Sequence, residues 1–343
     1  MTAQTLTLIQ PDDWHLHLRD GAVLGRTTKD SARQFGRAII MPNLTPPITN
    51  TTMAMDYKSR IDAQGSGLEA LMTLYLTDNT TATDIRNAHD SGIVSGVKLY
   101  PAGATTNSTA GVTAINKAYK AIATMEELGL PLLVHGETTH TDVDIFDREK
   151  VFIDTQLAPL VSHFPKLRLV VEHITTKEAV EFVQQSNANI GATITPQHLM
   201  YNRNHMLVGG IKPHLYCLPV LKRNTHQQAL QDAVVSGDDS FFLGTDSAPH
   251  AQGAKESACG CAGCYSAPVA IELYAQTFEQ LGILDKLEAF ASRNGPKFYR
   301  LPVNSKTITL IRQDWQVPTS LNYAGDTIIP LGAGETLHWK LQD

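Results

Sequence analysis

The 343-residue sequence contains few cysteines, no long apolar run and no excess of basic residues. Four cysteines are too few for the disulfide framework of a small secreted protein, and they suit a reducing compartment. No stretch of about 18 apolar residues is present, so we expect no transmembrane helix. The first ten residues lack the basic flank and apolar run of a signal peptide. We therefore expect a cytoplasmic protein that does not bind membranes.

The charge balance is mildly acidic. Lysine and arginine number 28 against 34 aspartates and glutamates, which gives a net charge of -6 at pH 7. Because no basic stripe compensates for this balance, we expect no nucleic-acid partner. Apolar residues make up 42% of the sequence and charged residues 18%, a composition that excludes a disordered chain.

Short apolar runs rich in β-branched residues alternate along the chain with stretches of helical spacing, such as residues 114–128 and 177–186. The runs cover residues 5–9, 37–41, 70–76, 94–99, 130–134, 167–172, 188–194 and 240–243. This alternation predicts βαβ units and a parallel sheet. The runs recur about every 33 residues, the size of one βαβ step, and their number favours a (β/α)₈ TIM-type barrel. We expect one domain over residues 1–343, with a C-terminal extension over about 303–343. A doubly wound α/β sheet is the alternative, because the runs at 70–76 and 188–194 are weakly defined.

Residues that can bind a metal ion cluster at the ends of these runs. They are His15 and His17 after the first run, Lys98 within the fourth, His135 after the fifth, His173 after the sixth and Asp246 after the eighth. In a barrel, the carboxyl ends of the strands converge on one face, where active sites lie. Independent burial of several histidines and a lysine is a poor explanation for this shared placement. The pattern therefore predicts a metal centre at the carboxyl ends of the strands.

The types of ligand indicate two divalent metal ions. Imidazole and carboxylate groups without a thiolate suit Zn²⁺ or a similar ion. Four histidines and an aspartate exceed the three protein ligands of a typical catalytic zinc. Two such ions carry four positive charges, which neutral histidines and one carboxylate do not balance. The remaining residue at the centre is Lys98, which cannot bind a metal ion as an ammonium.

This arrangement resembles the amidohydrolase superfamily, and the longer motifs are similar to those of its dihydroorotase family in the short, single-function bacterial form. The motifs are PDDWHLHLRD from Pro11, MPN from Met41, KLYPA from Lys98, VHGE from Val134, EHITT from Glu172, TPQHL from Thr195 and GTDSAPH from Gly244. They extend to about Pro302, and the residues beyond are less distinctive.

The resemblance implies a hydrolase with two Zn²⁺ ions per subunit. Implied ligands are His15, His17 and Asp246 for one ion, and His135 and His173 for the other. Lys98, converted by CO₂ to N6-carboxylysine, would bridge the two ions and supply the missing negative charge. Asp246 would act as general base and then general acid while N-carbamoyl-L-aspartate and L-dihydroorotate interconvert in pyrimidine (UMP) biosynthesis.

The resemblance also implies the residues that contact this small-molecule substrate. They are Arg19, Asn43 and His250 at the carboxylate, backbone groups of Leu218 and Ala262 at the ring amide, and His135. Residues 103–109 would form a lid in which Thr105 and Thr106 donate hydrogen bonds, although the residues alone are equally typical of an ordinary loop. The short form of the family implies a homodimer.

Two other functions fit part of the pattern. A hydantoinase or dihydropyrimidinase shares the metal ligands but need not bind a carboxylate through Arg19, Asn43 and His250. A non-catalytic barrel scaffold would be expected to have lost ligands, and here none is missing.

Cys259, Cys261 and Cys264 form a short cluster that is similar to a metal-binding knuckle. The cluster has no matching second pair, so we do not expect a tetrahedral metal site. The family resemblance instead implies a loop near the substrate with reduced thiols. Cys217 lies apart, and we expect it to be a small buried side chain.

Overall fold

The structure is a computed structural model that describes residues 4–258 and 260–342. Its centre is an eight-stranded parallel sheet in which consecutive strands are neighbours. After β1 (Thr5–Ile9), the barrel strands are β2 (Asp13–Leu16), β3 (Arg37–Ile40), β4 (Glu69–Tyr75), β5 (Val94–Leu99), β6 (Leu132–Val134), β7 (Leu169–Val171), β8 (Ile190–Ile194) and β9 (Phe241–Leu243). Residues after β9 close the ring, because Asp246 N donates to His15 O (2.9 Å) and His17 N donates to Ser247 O (3.2 Å). The predicted barrel is confirmed, and the open sheet is excluded.

Helices connect the strands and cover the outside of the barrel. They are α1 (Leu24–Ala32), α2 (Thr51–Asp62), α3 (Ala82–Asp90), α4 (Tyr119–Leu128), α5 (Arg148–Phe152), α6 (Ala158–His163), α7 (Lys177–Gln185), α8 (Pro196–Met200), α9 (Arg203–Leu207), α10 (Asn224–Ser236), α11 (Gln252–Lys255), α12 (Ala270–Gln280) and α13 (Asn294–Tyr299). The helical stretches predicted at 114–128 and 177–186 correspond to α4, preceded by a 3₁₀ turn, and to α7. Among the described residues, no helix combines the length and hydropathy needed to cross a bilayer.

The short barrel strands divide their residues between the barrel interior and the helical layer. Leu133, Val170 and Phe242, each the middle residue of its strand, pack together with Trp14 and Tyr299. The residues on either side of them belong to the larger apolar cluster that includes the helices. This division follows from the alternation of side chains along a strand. The next inward position after Leu133 is therefore residue 135.

Helix α13 closes the end of the barrel interior where Leu133, Val170 and Phe242 lie. A Cβ atom added to Gly295 would overlap the indole ring of Trp14, so only glycine allows the helix to approach this closely. The Trp14 ring in turn stacks on Tyr299, with ring centroids 4.4 Å apart. The end of the barrel away from the predicted metal centre is thus filled and sealed by apolar contacts.

The prediction that residues 5–9 form the first barrel strand is wrong. They do form a strand, but β1 pairs antiparallel with β10 (Thr307–Gln316), which pairs in turn with β13 (Thr336–Leu341). Thr5 and Thr7 are exposed, as suits a sheet with one solvated face, whereas the barrel strands are buried on both faces. The true first strand is β2, whose polar residues disguise it and whose third residue is His15.

The C-terminal extension therefore contributes β10 and β13 to a small sheet beside the barrel. Between them lies a hairpin of β11 (Leu321–Tyr323) and β12 (Asp326–Ile328). The extension packs on α12, where Leu341 N donates to the Glu272 carboxylate at 3.3 Å.

Candidate active site

The predicted metal ligands lie together at the carboxyl end of the barrel. His15 lies in β2 and Lys98 in β5, whereas His135, His173 and Asp246 follow the ends of β6, β7 and β9. These residues and His17 are all buried. Val97 and Leu99 belong to the outer apolar cluster, so the alternation of β5 directs Lys98 into the barrel.

His15, His17 and Asp246 form one compact group of ligand atoms. The two imidazole Nε2 atoms are 3.2 Å apart, and they lie 3.3 and 3.1 Å from Asp246 Oδ1. All three ligand atoms lie within 4.8 Å of one another. Burial holds the pKa of both histidines below the usual value, so both are neutral, as metal ligands must be. The group can hold a divalent cation.

His135, His173 and Lys98 form the adjoining group. His135 Nδ1 lies 3.2 Å from His173 Nε2, and the His173 ring centroid is 5.0 Å from that of His15. Lys98 is completely buried, with Nζ 3.3 Å from Glu172 Oε2. Burial lowers the pKa of Lys98 well below its usual value, an effect that Asp246 partly opposes. The Lys98 amine is therefore uncharged much more readily than that of a surface lysine.

Oxygen atoms orient the ligand histidines from behind. Asn43 Oδ1 lies 2.9 Å from His17 Nδ1, and Glu137 Oε2 lies 2.9 Å from His135 Nε2. The carboxylate of Glu172 contacts His15 Nδ1. Such contacts set the ring orientation and leave the opposite ring nitrogen free for a metal ion.

Arg19 and His250 form a pair beside the predicted metal ligands. Arg19 Nη2 lies 3.1 Å from His250 Nε2, and Arg19 Nε donates to Pro249 O at 3.2 Å. Burial and the nearby guanidinium lower the pKa of His250 to about 3, so the imidazole is neutral. Asn43 Nδ2 donates to Thr106 O at 3.1 Å. Asn43 thus connects the segment 103–109 to His17 as well as facing the cavity.

One cavity joins the metal ligands to the predicted substrate contacts. The cavity is narrow, with a volume of about 20 Å³, which is room for about one water molecule. Arg19, Asn43, Leu218 and Ala262 line it, together with His15, His17, His135, His173 and Asp246. His250 contacts Arg19 from outside this lining.

The segment 103–109 lies over the same cavity. Thr105 and Thr106 are part of the lining, and Thr106 Oγ1 is 3.5 Å from Ala262 O. Asn107 Nδ2 donates to Asn43 O at 3.0 Å, and the Tyr75 hydroxyl donates to Asn107 O at 3.3 Å. The segment is therefore in a position from which it can cover a bound molecule.

Backbone conformations that side chains rarely adopt are concentrated at this site. Six non-glycine residues of the described chain have a positive φ angle, and four of them are Arg19, Asn107, His173 and Asp246. Such conformations cost energy and persist where the surroundings hold them. Their concentration here agrees with a site whose side chains must point in fixed directions.

Comparison with known proteins shows that this chain is similar to members of one family over most of its length. Residues 5–310 match the sequence model of the family described as "Amidohydrolase family". The chain belongs to the amidohydrolase family. It is 64% identical over 340 residues to a dihydroorotase of Stutzerimonas stutzeri, with 98% of each chain covered. The crystal structure of a Campylobacter jejuni dihydroorotase is 37% identical, has a TM-score of 0.92, and is matched over 100% of this chain and 99% of its own.

Within the amidohydrolases, the relationship to the dihydroorotases is much closer than to the hydantoinases. An L-hydantoinase of Arthrobacter aurescens is 14% identical with a TM-score of 0.81, over 98% of this chain and 83% of its own. That likeness shows a shared fold alone. The resemblance read from the sequence motifs is thereby confirmed at the level of the dihydroorotase family.

Two carboxylates of this amidohydrolase site are absent from the residues predicted from the sequence. Glu137 and Glu172 each contact a ligand histidine, yet both look like ordinary charged residues in the sequence. Glu137 lies two residues after His135, so in an extended chain it faces the same way. Glu172 follows Val170 by the same interval and precedes His173. That spacing is the signal that could have identified them.

The cysteine segment is a loop beside the cavity, as predicted. Ala262 and Gly263 line the cavity, whereas Cys261 and Cys264 are free thiols. Cys217 is a buried free thiol, as expected. Cys259 lies outside the described residues.

Proposed function

We propose that this protein catalyses the reversible cyclisation of N-carbamoyl-L-aspartate to L-dihydroorotate and water, in pyrimidine biosynthesis. The observation that carries this assignment is one cavity lined by a cluster of four histidines and Asp246, which adjoins an arginine held by Pro249 and His250. Hydrolysis of a cyclic amide requires the metal-binding cluster. Recognition of a substrate carboxylate requires the arginine.

The proposed cofactor is a pair of Zn²⁺ ions, to which carboxylated Lys98 would supply a shared anionic ligand. Converging imidazole nitrogens and a carboxylate, with no thiolate among them, fit this assignment. His15, His17 and Asp246 would hold one ion, and His135 and His173 the other. When bound, the ions polarise the amide carbonyl and make water more acidic. The lowered pKa of Lys98 supports the carbamate, since only the neutral amine adds to CO₂.

Asp246 is the proposed proton carrier. In the hydrolytic direction its carboxylate accepts a proton from the attacking water and delivers it to the ring nitrogen as the carbon–nitrogen bond breaks. Cyclisation reverses these steps. The left-handed backbone of Asp246 (φ 45°) and the contacts of its Oδ1 with His15 and His17 hold this carboxylate at the cavity wall.

The substrate carboxylate is proposed to bind Arg19, with His250 and Asn43 beside it. A guanidinium offers two parallel donors to a carboxylate, and Arg19 keeps donors free after its bond to Pro249 O. His135, Leu218 and Ala262 also line the cavity, and the His135 side chain and the backbone groups of the other two residues would contact the ring. Thr105 and Thr106 would donate from the lid, which excludes water and strengthens the polar interactions beneath it.

A direct assay tests the assignment. L-Dihydroorotate and 5,6-dihydrouracil, which lacks the carboxylate, are offered to the purified protein, and zinc is measured in the same sample. We expect turnover of dihydroorotate only, two zinc ions per subunit, and loss of activity on chelation. Comparable turnover of dihydrouracil would favour a hydantoinase type, and turnover of neither compound would reject the proposal. Labelling with ¹³C-bicarbonate tests the carbamate by its carbonyl resonance.

We also propose that the protein is a homodimer in the cytoplasm, as the short form of the family implies. Light scattering on the purified protein measures the mass, and a monomeric mass would contradict the dimer. Fractionation of the host cell tests the location.

A further inference from the structure

The C-terminal tail lies beyond the residues that match the family, which end at residue 310, yet part of it packs on segments that lead away from the cavity. In the hairpin β11–β12, Leu321 pairs with Ile328 and Tyr323 pairs with Asp326. Ala324 and Gly325, at the turn, both have positive φ angles, as the tight two-residue turns of hairpins require. The hairpin is therefore a defined element with a fixed register.

The hairpin packs on the two chain segments that present the carboxylate pair. Tyr323 and Ile328 are buried against Tyr265, in a cluster that also includes Val23 and Ala251. Val23 follows Arg19 by four residues, and Ala251 directly follows His250. The hairpin thus spans the ends of both segments, and Tyr323 is its largest buried side chain.

Tyr323 belongs to the cluster that packs on Val23, four residues after Arg19, whose own backbone conformation is unusual. Burial raises the pKa of the Tyr323 phenol, and the Arg19 guanidinium opposes this shift. Arg19 has a φ angle of 63°, a conformation that side chains rarely adopt. Its carbonyl accepts a hydrogen bond from the Tyr57 hydroxyl at 2.5 Å. Arg19 therefore depends on its surroundings for its orientation, and the tail contributes to them by packing on Val23 and Ala251.

We propose that Tyr323 is a positioning residue for substrate binding, whose ring holds Arg19 and His250 in the arrangement that receives the substrate carboxylate. The tail hairpin on this view supports the binding site from outside the cavity lining. This inference rests on the proposed function. It predicts an effect on binding in both directions of the reaction, because both substrates carry the carboxylate.

Three variants test the proposal. Tyr323→Leu removes the aromatic ring, Tyr323→Phe keeps it, and Glu335→Gln perturbs the tail elsewhere, where the Tyr201 hydroxyl donates to Glu335 at 3.0 Å. We expect Tyr323→Leu to raise KM for both substrates about tenfold, within the range for coupled neighbours, with kcat within about twofold. The KM values of Tyr323→Phe and Glu335→Gln should both stay near that of the wild type. Zinc content should be the same in all three proteins.

Binding of orotate, a carboxylate-bearing analogue, separates a positioning role from a structural one. In calorimetry, adding Tyr323→Leu to Arg19→Met should not weaken orotate binding further, because Tyr323 acts through Arg19. An unchanged KM in folded Tyr323→Leu, or a joint fall of kcat and zinc content, would overturn the inference. An inactive wild-type protein would reject the proposed function, whereas an active wild type with a normal Tyr323→Leu variant would reject only the role of Tyr323.

Discussion

The two ends of the barrel interior are built from the same strands but carry opposite kinds of side chain. At one end, Leu133, Val170 and Phe242 pack on Trp14 and Tyr299. Two residues further along β6 and β7, the inward positions are His135 and Glu172. The apolar end needs no specific partners, because dispersion and burial act without direction.

The polar end has the opposite requirements. Among the described residues, buried polar atoms without a hydrogen-bond partner occur at both ends: Glu137 Oε1, Glu172 Oε1 and His173 Nδ1 at the polar end, and Trp14 Nε1 and the Tyr299 hydroxyl at the apolar end. Those at the polar end belong to carboxylates and an imidazole, ionisable groups whose burial costs more than that of a neutral indole or phenol. Unpartnered buried polar atoms cost stability. The buried polar groups are unfavourable for folding. The packing of the apolar end offsets this cost and holds the polar end rigid. Substitutions at the two ends should therefore separate activity from stability.

The largest expected effect comes from removing Lys98 at the polar end. Lys98→Ala should lower kcat about a thousandfold or more, because a metal centre supplies several kcal/mol of transition-state stabilisation. Acetate added to the assay should partly restore activity by supplying the missing anion. Full activity and full zinc content in this variant would contradict the bridged centre.

Leu133→Ala is the matched change at the apolar end, because Leu133 is the residue paired with Lys98 across β5 and β6. We expect the free energy of unfolding to fall by about 2–5 kcal/mol, the range for a large-to-small change in a core. Urea unfolding measures this fall, and kcat per folded molecule should stay near that of the wild type. A large loss of kcat without destabilisation would show that the two ends are not separable.

Asp246→Asn keeps the shape of the polar end but removes the proton acceptor. The proposed role predicts a fall in kcat of about a hundredfold or more, as for other general acid–base residues. Steady-state kinetics with dihydroorotate measure this, with zinc analysis to separate lost metal from lost proton transfer. An unchanged kcat would assign the proton transfer to another group.

The double variant Thr105→Ala with Thr106→Ala tests whether the polar end includes the lid. If the lid hydroxyls donate hydrogen bonds to the substrate near the transition state, the loss of each hydroxyl should raise the activation free energy for kcat by about 1.5–3 kcal/mol. Zinc content should be unaltered, because neither threonine is a proposed ligand. Hydrogen exchange of residues 103–109 should slow when N-carbamoyl-L-aspartate binds. Wild-type kinetics and equal exchange would make the segment an ordinary loop.

The smallest effect concerns pH, because buried titratable groups lie at the polar end. His198 in α8 is buried, and burial lowers its pKa from 6.5 to about 4. The unfolded chain therefore takes up a proton that the folded protein does not, and stability is lost as pH falls from 6.5 towards 4. Relative to wild type, His198→Gln should flatten this fall by up to about 1.4 kcal/mol per pH unit, the value for one proton. Parallel urea titrations across this pH range make the comparison, and identical slopes would contradict it.

The alternation of apolar runs with helical stretches was sufficient to predict the barrel. The same period placed Lys98, His135, His173 and Asp246 at strand ends, and chemistry then indicated a metal centre. These features are local, because a buried parallel strand must be a short apolar run and its polar end must follow directly. The family resemblance added the carbamate, Leu218 and Ala262, whose roles are invisible in their residue types.

Long-range pairing decided what the sequence by itself left open. Residues 5–9 look like a barrel strand, but their exposed threonines found an antiparallel partner 302 residues away in β10. In β2, Asp13 and His15 concealed a strand whose place is set by pairing with β3 and by Thr245, which donates to Asp13. The contacts of Glu137 and Glu172 with the site likewise depend on which strands meet. Local sequence determines the period and chemistry of each segment, whereas the partner of a segment is determined by which faces remain unburied once the whole chain has folded.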